Sequence, residues 1–331
     1  MPTATPYNNQ RGIIFSANDT GFTPSTLVLR GFPDLEDYHF GFAVPLLMIY
    51  IVTLLGNCTL LMVIQLALKL HTPMYIFISQ LAITDLIMSS CVLPKLLAIF
   101  WFHDTEIRFS SCLIQMFFSV CCLALETSIL SAMAFDRYVA VCNPLRYSSI
   151  LTNALIVKIA TASLARSIVL VAPIPLLILR LPFCSRQVAH WYCENMAVAK
   201  LSCTDITLNN VYTLIISFLV APVDIVCIAL SYILILKTIV HLPLKHDRFK
   251  AFNTCSSHIS VMSAFYIPLF SANLLNRMQH TIPQYVQVIV SATGLLVPPV
   301  MNPLIYGVTL EVRLGVHQVF QKVLSKLSKM S

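Results

Sequence analysis

Met133-Ala-Phe-Asp-Arg-Tyr-Val-Ala-Val-Cys-Asn-Pro-Leu-Arg-Tyr147 closes an apolar run that begins near Leu113. That run is long enough to cross a bilayer as a helix. It ends on two adjacent ionisable residues, Asp136 and Arg137. Charge near hydrocarbon is costly and marks function by default. An Arg at a helix end can also snorkel to the interface with a neighbouring acid as partner. The rest of the chain decides between these readings.

Of the 331 residues, 57% are hydrophobic and 11% are charged, against about 25% charged in soluble domains. So few charges cannot cover a water-facing surface of this size, and the chain reads as an integral membrane protein. Apolar windows of about 20 residues or more, the length of a membrane span, recur seven times. They lie near 40–66, 75–98, 112–138, 155–179, 209–236, 252–275 and 284–307. A span must satisfy its own backbone hydrogen bonds, so each window is predicted to be a helix. The expected fold is all-α: an N-terminal segment over 1–39, a seven-helix transmembrane bundle over 40–308, and a tail over 309–331. In that tail Val312, Val316, Val319, Phe320, Val323, Leu324 and Leu327 recur at helical spacing among basic residues. The pattern suits a short amphipathic helix on the membrane surface.

Lys69, Arg146, Lys237, Lys245, Arg248, Lys250, Arg313, Lys322, Lys326 and Lys329 fall on one side of this topology. The positive-inside rule makes that side cytosolic and the N-terminus extracellular. Asp136-Arg137 then sits at the cytosolic end of the third helix. The net charge of +7 is in this sense a topological signal. No basic patch interleaved with aromatics is present, so no nucleic-acid partner is expected. Asn18-Asp19-Thr20 is an acceptor triplet for N-glycosylation on the outer side. No basic start leads into an apolar run near residue 1, so no cleaved signal peptide is expected.

Cys112, Cys184, Cys193 and Cys203 face the oxidising side, and four such residues allow three pairings. The other seven cysteines read as small apolar side chains within or at the ends of spans. Inside the bundle, Asp85 and Glu126 suggest a shared cation or shared protons. Alternatively each is hydrogen-bonded to Asn57, Ser128, Ser131 or Asn302. Asp224, in the fifth span, has no partner that spacing names. Pro94, Pro173, Pro175, Pro222, Pro268 and Pro303 mark kinks within the spans.

Gly56-Asn57, Leu81-Ala-Ile-Thr-Asp85, Asp136-Arg137-Tyr138 and Asn302-Pro303-Leu-Ile-Tyr306 together resemble the rhodopsin-like G-protein-coupled receptors. Within that class Leu70-His-Thr-Pro-Met-Tyr75, Met133 to Cys142, Ser231-Tyr232 and Lys250-Ala-Phe-Asn-Thr-Cys-Ser-Ser-His258 resemble the olfactory receptors. The loop from Trp191 to Cys203, and Phe265-Tyr-Ile-Pro268 followed by Arg277, resemble the fish-like class I branch. Asn253 stands where the family usually has Ser, and Met301 where Leu is commoner; neither touches the fold.

The resemblance implies disulfides Cys112–Cys193 and Cys184–Cys203, and a structural sodium ion at Asp85 and Glu126. No other cofactor is expected. It implies that Arg277 meets a ligand carboxylate, for which a guanidinium offers a bidentate fork. Phe265 and Tyr266 would pass ligand contact to the sixth helix. By helical register Ser119, Val120, Leu123, Ala124, Asn273 and Leu274 line the same pocket. That lining is mostly apolar, which suits a small hydrophobic ligand. Asp136, Arg137 and Tyr138 would couple to a G protein together with Tyr232, Asn302, Pro303 and Tyr306. The implied function is a plasma-membrane odorant receptor that raises cyclic AMP through a stimulatory olfactory-type G protein and is not an enzyme.

A retinal photoreceptor would need a Schiff-base Lys in the seventh helix, and no Lys or Arg lies between Arg277 and Arg313. An ion-coupled transporter could use Asp85, Glu126 and Asp224, but it leaves the Asp136-Arg137-Tyr138 and Asn302-Pro303 motifs unexplained. The nearest alternative is a metabolite sensor of the same fold expressed in another tissue.

Overall fold

A computed structural model describes residues 22–30, 39–241, 245–277 and 283–307. In chain order the described helices are α1 (His39–Leu66), α2 (Pro73–Phe102), α3 (Phe109–Cys142), a single turn α4 (Tyr147–Ile150) and α5 (Asn153–Val171). They continue with α6 (Pro173–Leu179), α7 (Asn195–Ala199), α8 (Thr207–His241), α9 (Lys245–Arg277) and α10 (Gln284–Gly307). Among the described residues six spans are long and apolar enough to cross a membrane: α1, α2, α3, α5 joined with α6, α8 and α10. Helix α9 has a span's length at 33 residues but opens on Lys245, His246, Asp247, Arg248 and Lys250. The amphipathic helix expected over 309–331, and Asn18, lie outside the described residues.

Local chemistry explains the ends. Helix α2 starts with Thr72 in extended geometry and Pro73 at its first position, where the missing N–H costs nothing and the fixed φ suits a helix. It stops at His103, which takes φ 55° in the left-handed region usually filled by glycine. The next residue, Asp104, accepts a hydrogen bond from Lys95 Nζ at 2.8 Å, so the turn is tied back to its own helix. The fourth span breaks at Ala172, because Pro173 starts α6 and has no N–H to continue α5.

Helix α3 is the axis of the bundle. Its most apolar window is 67% buried, against 17% for α8 on the periphery. Two cores stack along it. One gathers Leu27, Leu96, Phe100, Met116, Ile178, Phe183 and Trp191. The other gathers Val63, Phe77, Leu81, Met133, Ile156, Val261, Phe265 and Tyr306.

The all-α expectation needs one correction. At one end of the bundle three short strands, β1 (Thr26–Leu29), β2 (Glu106–Arg108) and β3 (Gln187–Val188), form a sheet in the order β2-β1-β3. Strand β1 runs antiparallel to β2, with Leu27 opposite Ile107, and parallel to β3, with Val28 opposite Gln187. Alternation in β1 buries Leu27 and Leu29 completely. Four residues are too few to show that period in the sequence. Two disulfides pin the same end: Cys112–Cys193 ties the start of α3 to the loop, and Cys184–Cys203 closes the loop on itself. Of the three pairings that spacing allows, this is the one present.

Helices α1 and α10 meet at Gly56, where an added Cβ would lie 2.9 Å from Pro303 Cγ. A proline ring in a helix cannot yield as a flexible side chain would. Gly56→Val should therefore lower folded, surface-expressed receptor through overpacking worth about 1–3 kcal/mol. Gly41→Ala, with nothing within 4 Å of its Cβ, should express normally. Flow cytometry of epitope-tagged variants, with melting temperature of the purified protein, measures both.

Candidate ligand and switch sites

At the end opposite the sheet, Asp136 is fully buried and Arg137 Nη2 lies 3.2 Å from its Oδ2. Tyr147, at the start of α4, donates to Asp136 Oδ1 at 2.7 Å. Burial, then the Asp136 carboxylate, push the Tyr147 phenol above its ordinary range, so it stays a donor. Tyr138 packs with Tyr232 against Ile235, Ile239 and Cys255. The His258 ring meets Tyr306 edge-on at 5.9 Å. Neither ring nitrogen of His258, nor the Tyr232 hydroxyl, nor Arg137 Nε has a hydrogen bond among the described residues. The cluster thus holds unused donors and acceptors around the Arg, which suits a site with a second arrangement.

Half-way along the bundle Asn302 Nδ2 donates to both oxygens of buried Asp85, at 3.2 and 2.9 Å. Asn57 donates to the carbonyls of Thr53 and Pro299 at 3.0 and 2.9 Å. Glu126 is buried, and its Oε1 has no hydrogen bond among the described residues. Of the hydrogen-bonding partners expected for the carboxylates, only Asn302 takes that part.

Asp224, without a nameable partner in the sequence, has one in space. Arg166 of α5 donates to it through Nη2 at 2.6 Å and Nη1 at 3.1 Å, and Nη2 also reaches Ser128 Oγ at 2.5 Å. Sequence reading passed over Arg166, yet a lone guanidinium inside the fourth window was signal enough to look for an acid at similar depth. The geometry joins α3, α5 and α8 through one fork.

The predicted ligand positions follow the same face of α3. Ser119 is buried, with its hydroxyl donating to the Met116 carbonyl at 3.1 Å. Val120 and Leu123 are half-buried, and Ala124 is buried. Tyr266 stacks on Phe270 with ring centroids 6.1 Å apart. Its hydroxyl has no hydrogen bond among the described residues and lies within electrostatic reach of Asp224 and Arg166. Asn273, Leu274 and Arg277 belong to the last turns of α9, and their side chains lie outside the described residues.

The loop above α3 is a packed lid. Gln115 accepts from the Cys193 N–H at 2.9 Å and donates to the Cys91 carbonyl at 3.0 Å. Glu194 caps α7 by accepting from the Ala197 N–H at 2.6 Å. Its carboxyl is raised by burial, opposed by the Met196 and Ala197 amides and by Lys200. His190 stacks on Trp191 at 6.0 Å and meets Tyr192 edge-on at 4.8 Å, and burial pushes it from 6.5 down to about 3.

The structure is that of a polytopic membrane protein, a helical bundle tied at one end, with Asp136, Arg137 and Tyr147 clustered at the other and Asn302-Pro303 packed between. Comparison with known proteins narrows the class. The family model described as olfactory receptor matches residues 46–326. Human olfactory receptor 52K1 is 43% identical over 309 residues, covering 92% of this chain and 98% of the relative. Mouse olfactory receptor 51E2 is 46% identical over 302 residues, covering 91% and 94%. Human olfactory receptor 52D1 is 47% identical over 293 residues, covering 88% and 92%. The chain belongs to the olfactory receptor family, odorant-detecting G-protein-coupled receptors of the plasma membrane that are not enzymes.

Two outcomes test this geometry. Removing one member of a buried ion pair strands a charge and costs about 3–5 kcal/mol, whereas replacing both by apolar residues is close to neutral. Arg166→Met and Asp224→Leu should each lower the melting temperature sharply, and the double variant should recover most of the loss.

His190 is neutral when folded and takes a proton below pH 6.5 when unfolded. Its contribution is therefore complete above pH 6.5 and is lost as pH falls towards 3. Between pH 6.5 and 5 the wild type should lose about 2 kcal/mol that His190→Phe retains. Melting of both proteins across that range isolates the contribution of His190, since Glu194 is common to both.

Proposed function

We propose that this chain is an odorant receptor that binds small volatile or carboxylic-acid-like ligands in the outer half of a seven-helix bundle. It activates a stimulatory, olfactory-type G protein and so raises cyclic AMP. Helix α9 is the sixth of the seven spans and completes the bundle, with residues 1–39 extracellular, 40–308 the receptor domain and 309–331 cytosolic. The basic residues at the Arg137 end support this orientation.

One observation carries the reading: α3 is a single continuous helix that bears both sites. Its pocket positions begin at Ser119, beneath the disulfide-tied lid, and Arg137 lies 18 residues further on, about 27 Å along the axis. A ligand shifts the bundle only by its differential affinity for two packings. In the resting packing Arg137 is paired to Asp136; in the other it turns to the G protein beside Tyr138, Tyr232 and Tyr306, with Asn302 and Pro303 setting the path of α10. Arg277 anchors acidic ligands, while Val120, Leu123, Ala124, Tyr266, Asn273 and Leu274 shape the apolar remainder with Ser119. Asp85 and Glu126 would hold a sodium ion at rest. The buried Glu126 Oε1, with no hydrogen bond among the described residues, fits that ion, which would supply the countercharge two carboxylates need in low dielectric. Asn18 is the proposed glycosylation site.

The test is a cyclic AMP assay in cells co-expressing the G protein, screening short- and medium-chain carboxylic acids, aldehydes and alcohols. Arg137→Ala should reach the surface and give no response, and Arg277→Ala should lose acids selectively. A full response from Arg137→Ala would overturn the coupling role, and unchanged acid potency in Arg277→Ala would remove the anchor.

A further inference from the structure

At the Arg137 end, a 3-10 turn over Pro144–Arg146 leads directly into the single turn α4. Leu145, Arg146, Ser148 and Ser149 are all exposed there, whereas Tyr147 is half-buried and donates to Asp136 at 2.7 Å. Arg146 forms no ion pair among the described residues. Residues 137–193 contain no Asp or Glu, so the charges on this strip are of one sign.

Ser149 Oγ donates to the Arg146 carbonyl at 2.9 Å. That carbonyl belongs to the peptide bond entering Tyr147, so the hydroxyl helps fix the backbone that aims the Tyr147 phenol at Asp136. Exchanging the hydroxyl for a phosphate removes the donor and sets acceptor oxygens, with about two negative charges, against the same carbonyl. A hydrogen bond becomes a repulsion, the turn opens, and Asp136 loses the Tyr147 donor. A buried carboxylate left with one partner depends on it more, so Arg137 is held more tightly.

The residues before Ser149 supply the recognition. Arg146 stands three positions ahead of it. Kinases select acceptors by charge pattern, and a cleft lined with carboxylates takes an Arg at that offset through its bidentate fork.

We propose that Ser149 is a phosphorylation site for an arginine-directed protein kinase, and that its phosphate strengthens the Asp136–Arg137 pairing and so lowers coupling. Ser149 Oγ attacks the γ-phosphorus of a nucleoside triphosphate. The new O–P bond forms, the bond to the departing nucleoside diphosphate breaks, and the hydroxyl proton passes to the kinase. The effect on coupling and the access from the cytosol rest on the function and orientation proposed above; the acceptor chemistry does not.

The test incubates purified full-length receptor, in nanodiscs that leave both faces open, with ATP and either cyclic AMP-dependent kinase or a calmodulin-dependent kinase. Peptide mass spectrometry then locates the phosphate. Ser149 should be modified by at least one of the two, and Arg146→Ala should slow that modification about tenfold, the worth of one charge-assisted hydrogen bond. No phosphate at Ser149 with either kinase, or an unchanged rate in Arg146→Ala, would overturn the site. In the cyclic AMP assay, corrected for surface expression, Ser149→Glu should need about tenfold more agonist and Ser149→Ala should match the wild type. In a Tyr147→Phe background Ser149→Glu should add nothing, because the donor it displaces is already gone. Wild-type potency in Ser149→Glu, or its full effect in the Tyr147→Phe background, would overturn the route to Arg137. A wild type that answers no odorant would sink the function proposed above and leave the phosphorylation result standing. Antibody access to an N-terminal epitope on intact cells reads the orientation separately.

Discussion

Hydrocarbon offers no water to a charged side chain, and the arrangement of Asp85, Glu126, Asp136, Arg137, Arg166 and Asp224 follows from that. Each acid has found a donor or cation, or waits for one. Asp136 takes Arg137 and the Tyr147 hydroxyl. Asp224 takes the Arg166 fork. Asp85 takes the Asn302 amide. Glu126 is left with an oxygen that has no hydrogen bond among the described residues. Because these partners come from different helices, satisfying the charges also sets which helices touch: α10 against α2, and α8 and α5 against α3.

The two ends of α3 are treated in opposite ways. At the sheet end, Cys112–Cys193, the Gln115 bonds and strand β1 tie the helix into a rigid lid. At the other end the Arg137 surroundings hold donors and acceptors without hydrogen bonds among the described residues, on His258, Tyr232 and Arg137 itself. Satisfied networks rigidify, whereas partly satisfied ones admit an alternative arrangement.

Much of this was legible in the residues. Six of the spans follow from hydropathy, because a bilayer demands long apolar runs whatever the tertiary contacts. The Asp136-Arg137 pair was visible because its members are adjacent. The Asp224–Arg166 pair was not, since its members are 58 positions apart on helices whose facing sides no single period reveals. Strand β1 was hidden for a similar reason. Four residues carry little pattern, and its partners come from loops at 106–108 and 187–188.

Adjacency and composition are local, so the chain by itself determined the membrane class, the helical spans, the Asp136-Arg137 motif and the set of outer cysteines. Pairing is not local. Only the packed structure decided that Arg166 neutralises Asp224, that Tyr147 holds Asp136, and that Gly56 must stay small beside Pro303. The physical reason is the same in each case: which side chains meet depends on helix rotation and crossing, and these are settled by the whole bundle at once.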